Sequence, residues 1–280
     1  MQHIEYQWSG KDGITFYSQG WLPDGNPKAV VALVHGLGDH SGRYGHVGTA
    51  LTQAGYALLG FDLRGHGKSG GARGHTPSFD VYLDDIDHFL TWVAQRVPGA
   101  PIFLYGHSLG GILVLLYTLR RKPILAGVIA TSPALRNALE TQTVKVVFAK
   151  IGGKLLPNMS IPSGLDVQAL SHDPAVIEAY IQDPLVHDIA TLSFGKHALS
   201  AIQWIFAHAT EFSLPLLLVH GTADQIAFVR GSQELAALVP NKCTLKLWDG
   251  LFHETHNEPE KEQVLAYMIG WLDKIIRKDE

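Results

Sequence analysis

Three side chains in this sequence could act together as a hydrolytic device: Ser108, Asp224 and His253, in that chain order. A serine hydroxyl is a weak nucleophile at neutral pH. It needs a base beside it, and the base needs a carboxylate to orient it. Ser108 is the centre of Gly106-His107-Ser108-Leu109-Gly110, which fits G-x-S-x-G. That pattern forms a strained strand-to-helix elbow when a buried strand precedes it and a helix follows. Both conditions are met, because residues 102–105 are a short apolar run and residues 112–117 are apolar again beyond the glycines. Glycine at 106 and 110 lets strand and helix approach closely. The free N–H groups of the new helix then face any negative charge that develops at Ser108.

Asp224 follows the apolar run 214–219, and His253 follows the run 243–248. Each stands just beyond a predicted strand, where the partners of such a serine belong. Taken singly, Asp224 reads equally well as a loop residue or helix cap, and His253 as one surface histidine among 15. Their order and placement relative to Ser108 select the triad. His256 is the rival base. It lies one turn further on, beside Asn257 and the last helix, so it is expected to face solvent or cap that helix. An acyl-transfer site also needs two N–H groups aimed at the oxyanion. One is expected from Leu109, after the nucleophile, and the other from Leu37, in the His35-Gly36-Leu37-Gly38 turn that follows the apolar run 29–34.

Other polar residues read as structural. Asp62 and Arg64 are expected to form a buried ion pair bracing a loop, and Asp39 with Arg43 to hold the oxyanion turn. His253-Glu254-Thr255-His256 has a metal-like spacing but lacks further ligands nearby, so no metal is assigned. Gly65, Gly67, Gly70 and Gly71 lack the context of a phosphate loop. No cofactor is expected.

The elements that must position these residues alternate. Residues 4–8 and 14–21 read as an antiparallel hairpin, followed by strands at 29–34, 56–61, 102–105 and 125–131 with helical patterns between them, notably 79–97. Such alternation predicts an α/β fold with a mostly parallel central sheet and helices on both faces. It stops at Ser132-Pro133 and resumes at 214–219, followed by a helix at 228–239, a strand at 243–248 and a closing amphipathic helix at 262–277. Residues 134–210 show no strand and are broken by glycine and proline. The predicted organisation is thus a core of 1–133 and 211–280 with an inserted helical cap, or lid, at 134–210. Within the cap, Val144, Val147, Phe148, Ile151 and Leu155 share one helical face, flanked by Lys145, Lys150 and Lys154. Val147, Phe148 and Ile151 are the candidate substrate-binding residues of the cap, as a roof over an acyl pocket or a face that docks on lipid.

Composition narrows the function classes. Hydrophobic residues make up 46% and charged residues 17% of the 280, and the formal charge is −4, so no basic field suits nucleic acid. The single Cys243 excludes an intrachain disulfide and suits a reducing compartment. Residues 1–6 lack a basic stretch leading into an apolar one, and no apolar run is long enough to span a bilayer. A cytoplasmic protein with peripheral membrane or micelle contact through the cap is expected.

Five stretches together carry a family resemblance: HGLGDHSGRY at 35–44, DLRGHGKS at 62–69, GHSLGG at 106–111, DPLV at 183–186 and HETHNE at 253–258. The chain resembles the monoacylglycerol lipase and lysophospholipase group of the α/β-hydrolase superfamily over about residues 28–275. The resemblance implies Ser108, Asp224 and His253 as triad and Leu37 and Leu109 as oxyanion donors. It implies cleavage of one acyl ester of a monoacylglycerol or lysophospholipid. Some relatives are carboxylesterases or peptidases, and an aminopeptidase would need cap carboxylates such as Glu178, Asp183 or Asp188 to hold the substrate amine. The rival of another class is a catalytically silent binding protein on the same fold.

Overall fold

In the computed structural model, residues 1–137 and 156–277 are described. The opening hairpin is β1 (Gln2–Ser9) and β2 (Thr15–Leu22), paired antiparallel from Gln2 opposite Leu22 to Ser9 opposite Thr15. The sheet continues through β3 (Val30–Val34), β4 (Ala57–Phe61), β5 (Ile102–His107) and β6 (Gly127–Thr131). It ends with β9 (Leu216–Gly221) and β10 (Cys243–Trp248). The eight strands lie in the order β1-β2-β4-β3-β5-β6-β9-β10, and every pairing from β4 onwards is parallel.

The apolar runs without alternation become the interior strands because both of their faces are covered. Side chains divide with period two. Val30, Ala32 and Val34 join the cluster under α2 (Phe79–Arg96) and α3 (Leu109–Arg121), whereas Val31 and Leu33 pack toward α1 (Gly45–Gln53) and α7 (Lys261–Ile276). Strand β1 is mostly exposed and lies at the sheet edge. Because β3, β5, β9 and β10 run parallel, the loops after them open on one edge of the sheet. Leu37, Ser108, Asp224 and His253 all occupy those loops or turns.

The 134–210 stretch departs from expectation. Residues β7 (Ser160–Pro162) and β8 (Ile189–Thr191) pair as an antiparallel ribbon, where the sequence shows no strand. Three residues are too few to reveal a period, and the register is set by a partner far along the chain. The helix α4 (Pro174–Gln182), N-capped by Asp173, lies between them. The long helix α5 (Leu192–His208) contributes Phe194, Ala201, Ile202 and Ile205 to the same apolar cluster as α2 and α3. The ribbon is tied to the loop before α2, since Thr191 N–H donates to the Gly74 carbonyl at 3.0 Å and Ser193 Oγ to the Thr76 carbonyl at 3.1 Å. Helix α6 (Arg230–Leu238) covers β9 and β10. Val147, Phe148 and Ile151 lie outside the described residues.

Two glycines make opposite demands. A methyl at Gly110 would overlap the main-chain carbonyls of Val34 and His35, whereas a methyl at Gly270, exposed on α7, meets no atom within 4 Å. Gly110→Ala is therefore expected to destabilise the fold by about 1–3 kcal/mol or more, as overpacking against backbone does. Gly270→Ala is expected to stabilise it by about 0.5–1 kcal/mol, because alanine restricts the chain less unfavourably within a helix. Urea unfolding of the two variants checks both signs.

Candidate active site

The turn from β5 to α3 holds Ser108 at φ 53° and ψ −112°, a conformation rarely adopted by a residue with a side chain. The surroundings impose it. A Cβ at Gly106 would collide with the Gly110 carbonyl, so the strand can cross the helix start only with glycine there. Ser108 N–H donates to the Thr131 carbonyl at 3.0 Å, and the Ser108 carbonyl accepts from Ala134 at 3.3 Å and from Ile112 at 3.2 Å. Leu109 is the first residue of α3, and Leu37 sits in the turn after β3, where Gly36 packs against Ser108 and His107. Among the described residues neither Leu37 N–H nor Leu109 N–H has an acceptor. Both are free for an oxyanion.

Asp224 and His253 meet directly. His253 Nδ1 lies 2.8 Å from Asp224 Oδ2, with the carboxylate buried and the histidine 3% exposed. The other oxygen, Oδ1, accepts from Ile226 N–H at 2.8 Å and Ala227 N–H at 2.9 Å, which fixes the plane of the carboxylate. Burial alone would raise the pKa of Asp224, but the charges and hydrogen bonds of His253 and His220 outweigh it and hold the carboxyl well below the usual range. Burial likewise disfavours a charged His253, yet Asp224 outweighs it and raises that ring above the ordinary histidine value. Donation from Nδ1 to an ionised carboxylate leaves Nε2 with its lone pair, the state a general base requires.

One member of this site escaped the sequence reading. His220, at the end of β9, places Nε2 3.1 Å from Asp224 Oδ2 and 2.8 Å from the Ala227 carbonyl, with Nδ1 2.7 Å from Ser232 Oγ. It braces the Asp224 turn. Its only signal was a histidine four residues before the aspartate, and histidines are numerous in this chain.

His256 is not at the surface. It is 1% exposed, stacks on Tyr44 with centroids 5.0 Å apart, and meets the His107 ring edge-on at 4.8 Å. The short 3-10 turn 255–257 folds it inward instead of outward as a cap. Burial, and then the neighbouring histidines His107 and His46, push its pKa well below the ordinary value. His107 is pushed down to about 3 by the same burial and by His253. Of these three rings only His253 has both a carboxylate partner and an upward shift.

The turn after β3 is held as expected by Asp39 and Arg43, and by a residue the sequence reading missed. Arg43 Nη1 lies 3.1 Å from Asp39 Oδ1, and its two terminal nitrogens chelate Glu254 with both distances 2.7 Å. Glu254 also accepts from Asn257 Nδ2 at 2.7 Å, and Asp39 from Tyr44 Oη at 2.9 Å. Adjacency to His253 was the available sign of Glu254. Asp62 and Arg64, by contrast, do not pair with each other. Asp62 accepts from Ser41 N–H, Ser41 Oγ and Lys68 N–H at 2.8, 2.6 and 2.8 Å. Arg64 instead clasps Asp85 on α2 at 2.6 and 2.7 Å, a bidentate fit to its planar fork, and reaches Asp12 at 2.8 Å. Both still brace loops, with other partners.

Comparisons with known proteins place the chain in a family. The sequence profile described as serine aminopeptidase, S33 (Hydrolase_4) matches residues 25–260. An uncharacterized abhydrolase domain-containing protein of Dictyostelium discoideum is 39% identical over 95% of this chain, which spans only 28% of that longer protein. The monoacylglycerol lipase of Mycolicibacterium smegmatis is 35% identical over 96% of each chain. The crystal structure of the Paleococcus ferrophilus monoacylglycerol lipase superposes with a TM-score of 0.84 at 34% identity, covering 98% of this chain and 100% of that one. This chain therefore belongs to the serine aminopeptidase S33 family of α/β hydrolases, within its monoacylglycerol lipase group.

Proposed function

We propose that the protein hydrolyses the acyl ester of monoacylglycerols, with lysophospholipids as the related class, by an acyl-enzyme mechanism. The observation that carries this reading is the carboxylate-anchored His253 at the same sheet edge as a serine held on a strained elbow. Ser108 Oγ attacks the ester carbonyl while His253 Nε2 takes its proton. Asp224 stabilises the resulting imidazolium without itself being protonated. The Leu37 and Leu109 N–H groups receive the oxyanion. Collapse of the tetrahedral intermediate breaks the C–O bond to glycerol, and His253 returns the proton to that oxygen. Water then attacks the acyl-serine by the same steps in reverse, releasing the fatty acid and restoring Ser108. Tyr180 Oη, buried without a hydrogen-bond partner beside Gly38, is suited to a glycerol hydroxyl.

The name of the family favours a second reading, an aminopeptidase. Two of the carboxylates that could hold an amine are already engaged: Asp183 with His40 at 2.8 Å, and the exposed Glu178 with Gln182 at 2.9 Å. A panel of monoacyl-, diacyl- and triacylglycerols, lysophospholipids, p-nitrophenyl esters and aminoacyl anilides separates the readings. Monoacylglycerol is expected to react fastest; preferred anilide cleavage overturns the proposal. In the same assays Ser108→Ala and His253→Ala are expected to lose about 10⁴-fold or more of the rate and all fluorophosphonate labelling. A protein labelled at another residue would refute the triad. His256→Ala is expected to keep its labelling.

The pH profile tests the Asp224–His253 pair. His253 acts as base only when neutral, and its pKa is raised, so activity is expected to fall with acidification along a limb centred above the free-histidine value of about 6.5. Asp224→Asn removes the charge that raises it. The residual activity of that variant should therefore show its acidic limb at lower pH than the parent; an unmoved limb contradicts the assignment.

We propose further that residues 134–210 act as the cap. The keying of α5 into the main cluster favours treating that helix as a fixed part of the cap. No helix among the described residues is long and apolar enough to cross a membrane, and the exposed Leu156 and Met159 adjoin the Val147, Phe148 and Ile151 stripe in sequence. Peripheral docking through that stripe predicts that Val147→Asp with Phe148→Asp lowers activity on liposome-borne monoacylglycerol and spares a soluble short-chain ester. Equal loss on both substrates, with a fall in Tm, would assign the stripe to the core.

A further inference from the structure

A second strained serine lies in the site. Among the described residues the non-glycine positions with positive φ are Ser108, Lys122 and Ser132. Lys122 ends α3 in the left-handed conformation common at helix C-termini. Ser132 differs: it follows β6, is fully buried, and stands at φ 43° with no helix ending there. Such a conformation persists only where its surroundings over-determine it.

What surrounds Ser132 is the catalytic apparatus. Its N–H donates to the Val219 carbonyl at 2.8 Å, on the strand that leads to Asp224. Its Oγ donates to the His253 carbonyl at 2.7 Å. On either side, the Thr131 carbonyl accepts from Ser108 N–H and Ala134 N–H donates to the Ser108 carbonyl. Three of the four residues 131–134 thus touch the nucleophile, the base and the strand behind the carboxylate. His253 itself lies in a loop, and its own N–H reaches the Ala169 carbonyl only at 3.4 Å. The Ser132 hydroxyl is its short main-chain anchor.

We propose that Ser132 is a positioning residue, whose strained backbone delivers its hydroxyl to the His253 carbonyl and so sets the base against Ser108 and Asp224. This rests on the reading of His253 as the base. A hydroxyl that merely satisfied a buried carbonyl would affect stability but leave the ionisation of His253 unchanged. Loss of a positioning anchor loosens the Nδ1 bond to Asp224 and with it the raised proton affinity of the ring. The other ionisable groups acting on His253 are Glu254, Asp39 and His107, and no Ser132 substitution alters their charge.

The test compares Ser132→Gly and Ser132→Ala with the parent protein, using a soluble ester across pH, the rate of fluorophosphonate labelling, and Tm. Glycine relieves the strain but removes the hydroxyl. Ser132→Gly is therefore expected to lower kcat about ten- to a hundred-fold, the scale of a small misplacement of catalytic groups, with KM and Tm little changed and the acidic limb at lower pH. Ser132→Ala keeps the strain, and is expected to show the same kinetic loss with a lower Tm than Ser132→Gly. The proposal is overturned if Ser132→Gly retains the parent kcat, or if its acidic limb stays in place. His253→Ala, labelled alongside, separates the two levels. Normal labelling of that variant removes the base assignment itself, whereas a silent His253→Ala beside a fully active Ser132→Gly removes only the role of Ser132.

Discussion

The site depends on one buried interaction, the two-pronged grip of Arg43 on Glu254. Arg43 belongs to the loop that carries Leu37, and Glu254 is the next residue after His253. Burying these charges is costly, and a lone buried partner would be worse; breaking such a pair typically costs about 3–5 kcal/mol. The arrangement persists because the lone pairs are filled. Glu254 takes Arg43 and Asn257, and Asp39 takes Arg43, Tyr44 and the His40 N–H. A fully satisfied network of this kind is rigid. It links the loop after β3 to the loop after β10 across the intervening strands, so the Leu37 turn and His253 cannot drift apart independently.

Charge is distributed in the site by the same physics. The interior there holds carboxylates kept ionised by their partners, beside the His107 and His256 rings that burial keeps neutral. His107 and His256 sit against His253 and Tyr44 with their pKa values driven down, because burial penalises the imidazolium and no carboxylate bonds to either ring. His253 is equally buried, but the Asp224 bond reverses the sign. Of these three rings His253 alone is raised in proton affinity, and His107 and His256 fill space around it.

Local sequence dictates the scaffold and which side chains it can present for chemistry. G-x-S-x-G between a buried strand and a helix dictates the elbow, because only glycine fits where Gly106 and Gly110 meet backbone. The apolar runs at 29–34, 102–105 and 214–219 dictate interior parallel strands, whose common direction brings Leu37, Ser108, Asp224 and His253 to one edge. These are local rules of sterics and period, and they can be read without a partner. Which polar groups meet is set by the folded arrangement. Arg64 took Asp85 in place of Asp62, Glu254 joined Arg43 from 211 positions away, His256 turned inward, and Ser132 reached the His253 carbonyl. The three-residue ribbon of β7 and β8 likewise exists only through its pairing. Such choices rest on distances between segments remote in the chain, and on which buried donor finds which acceptor, so no spacing within a single stretch records them.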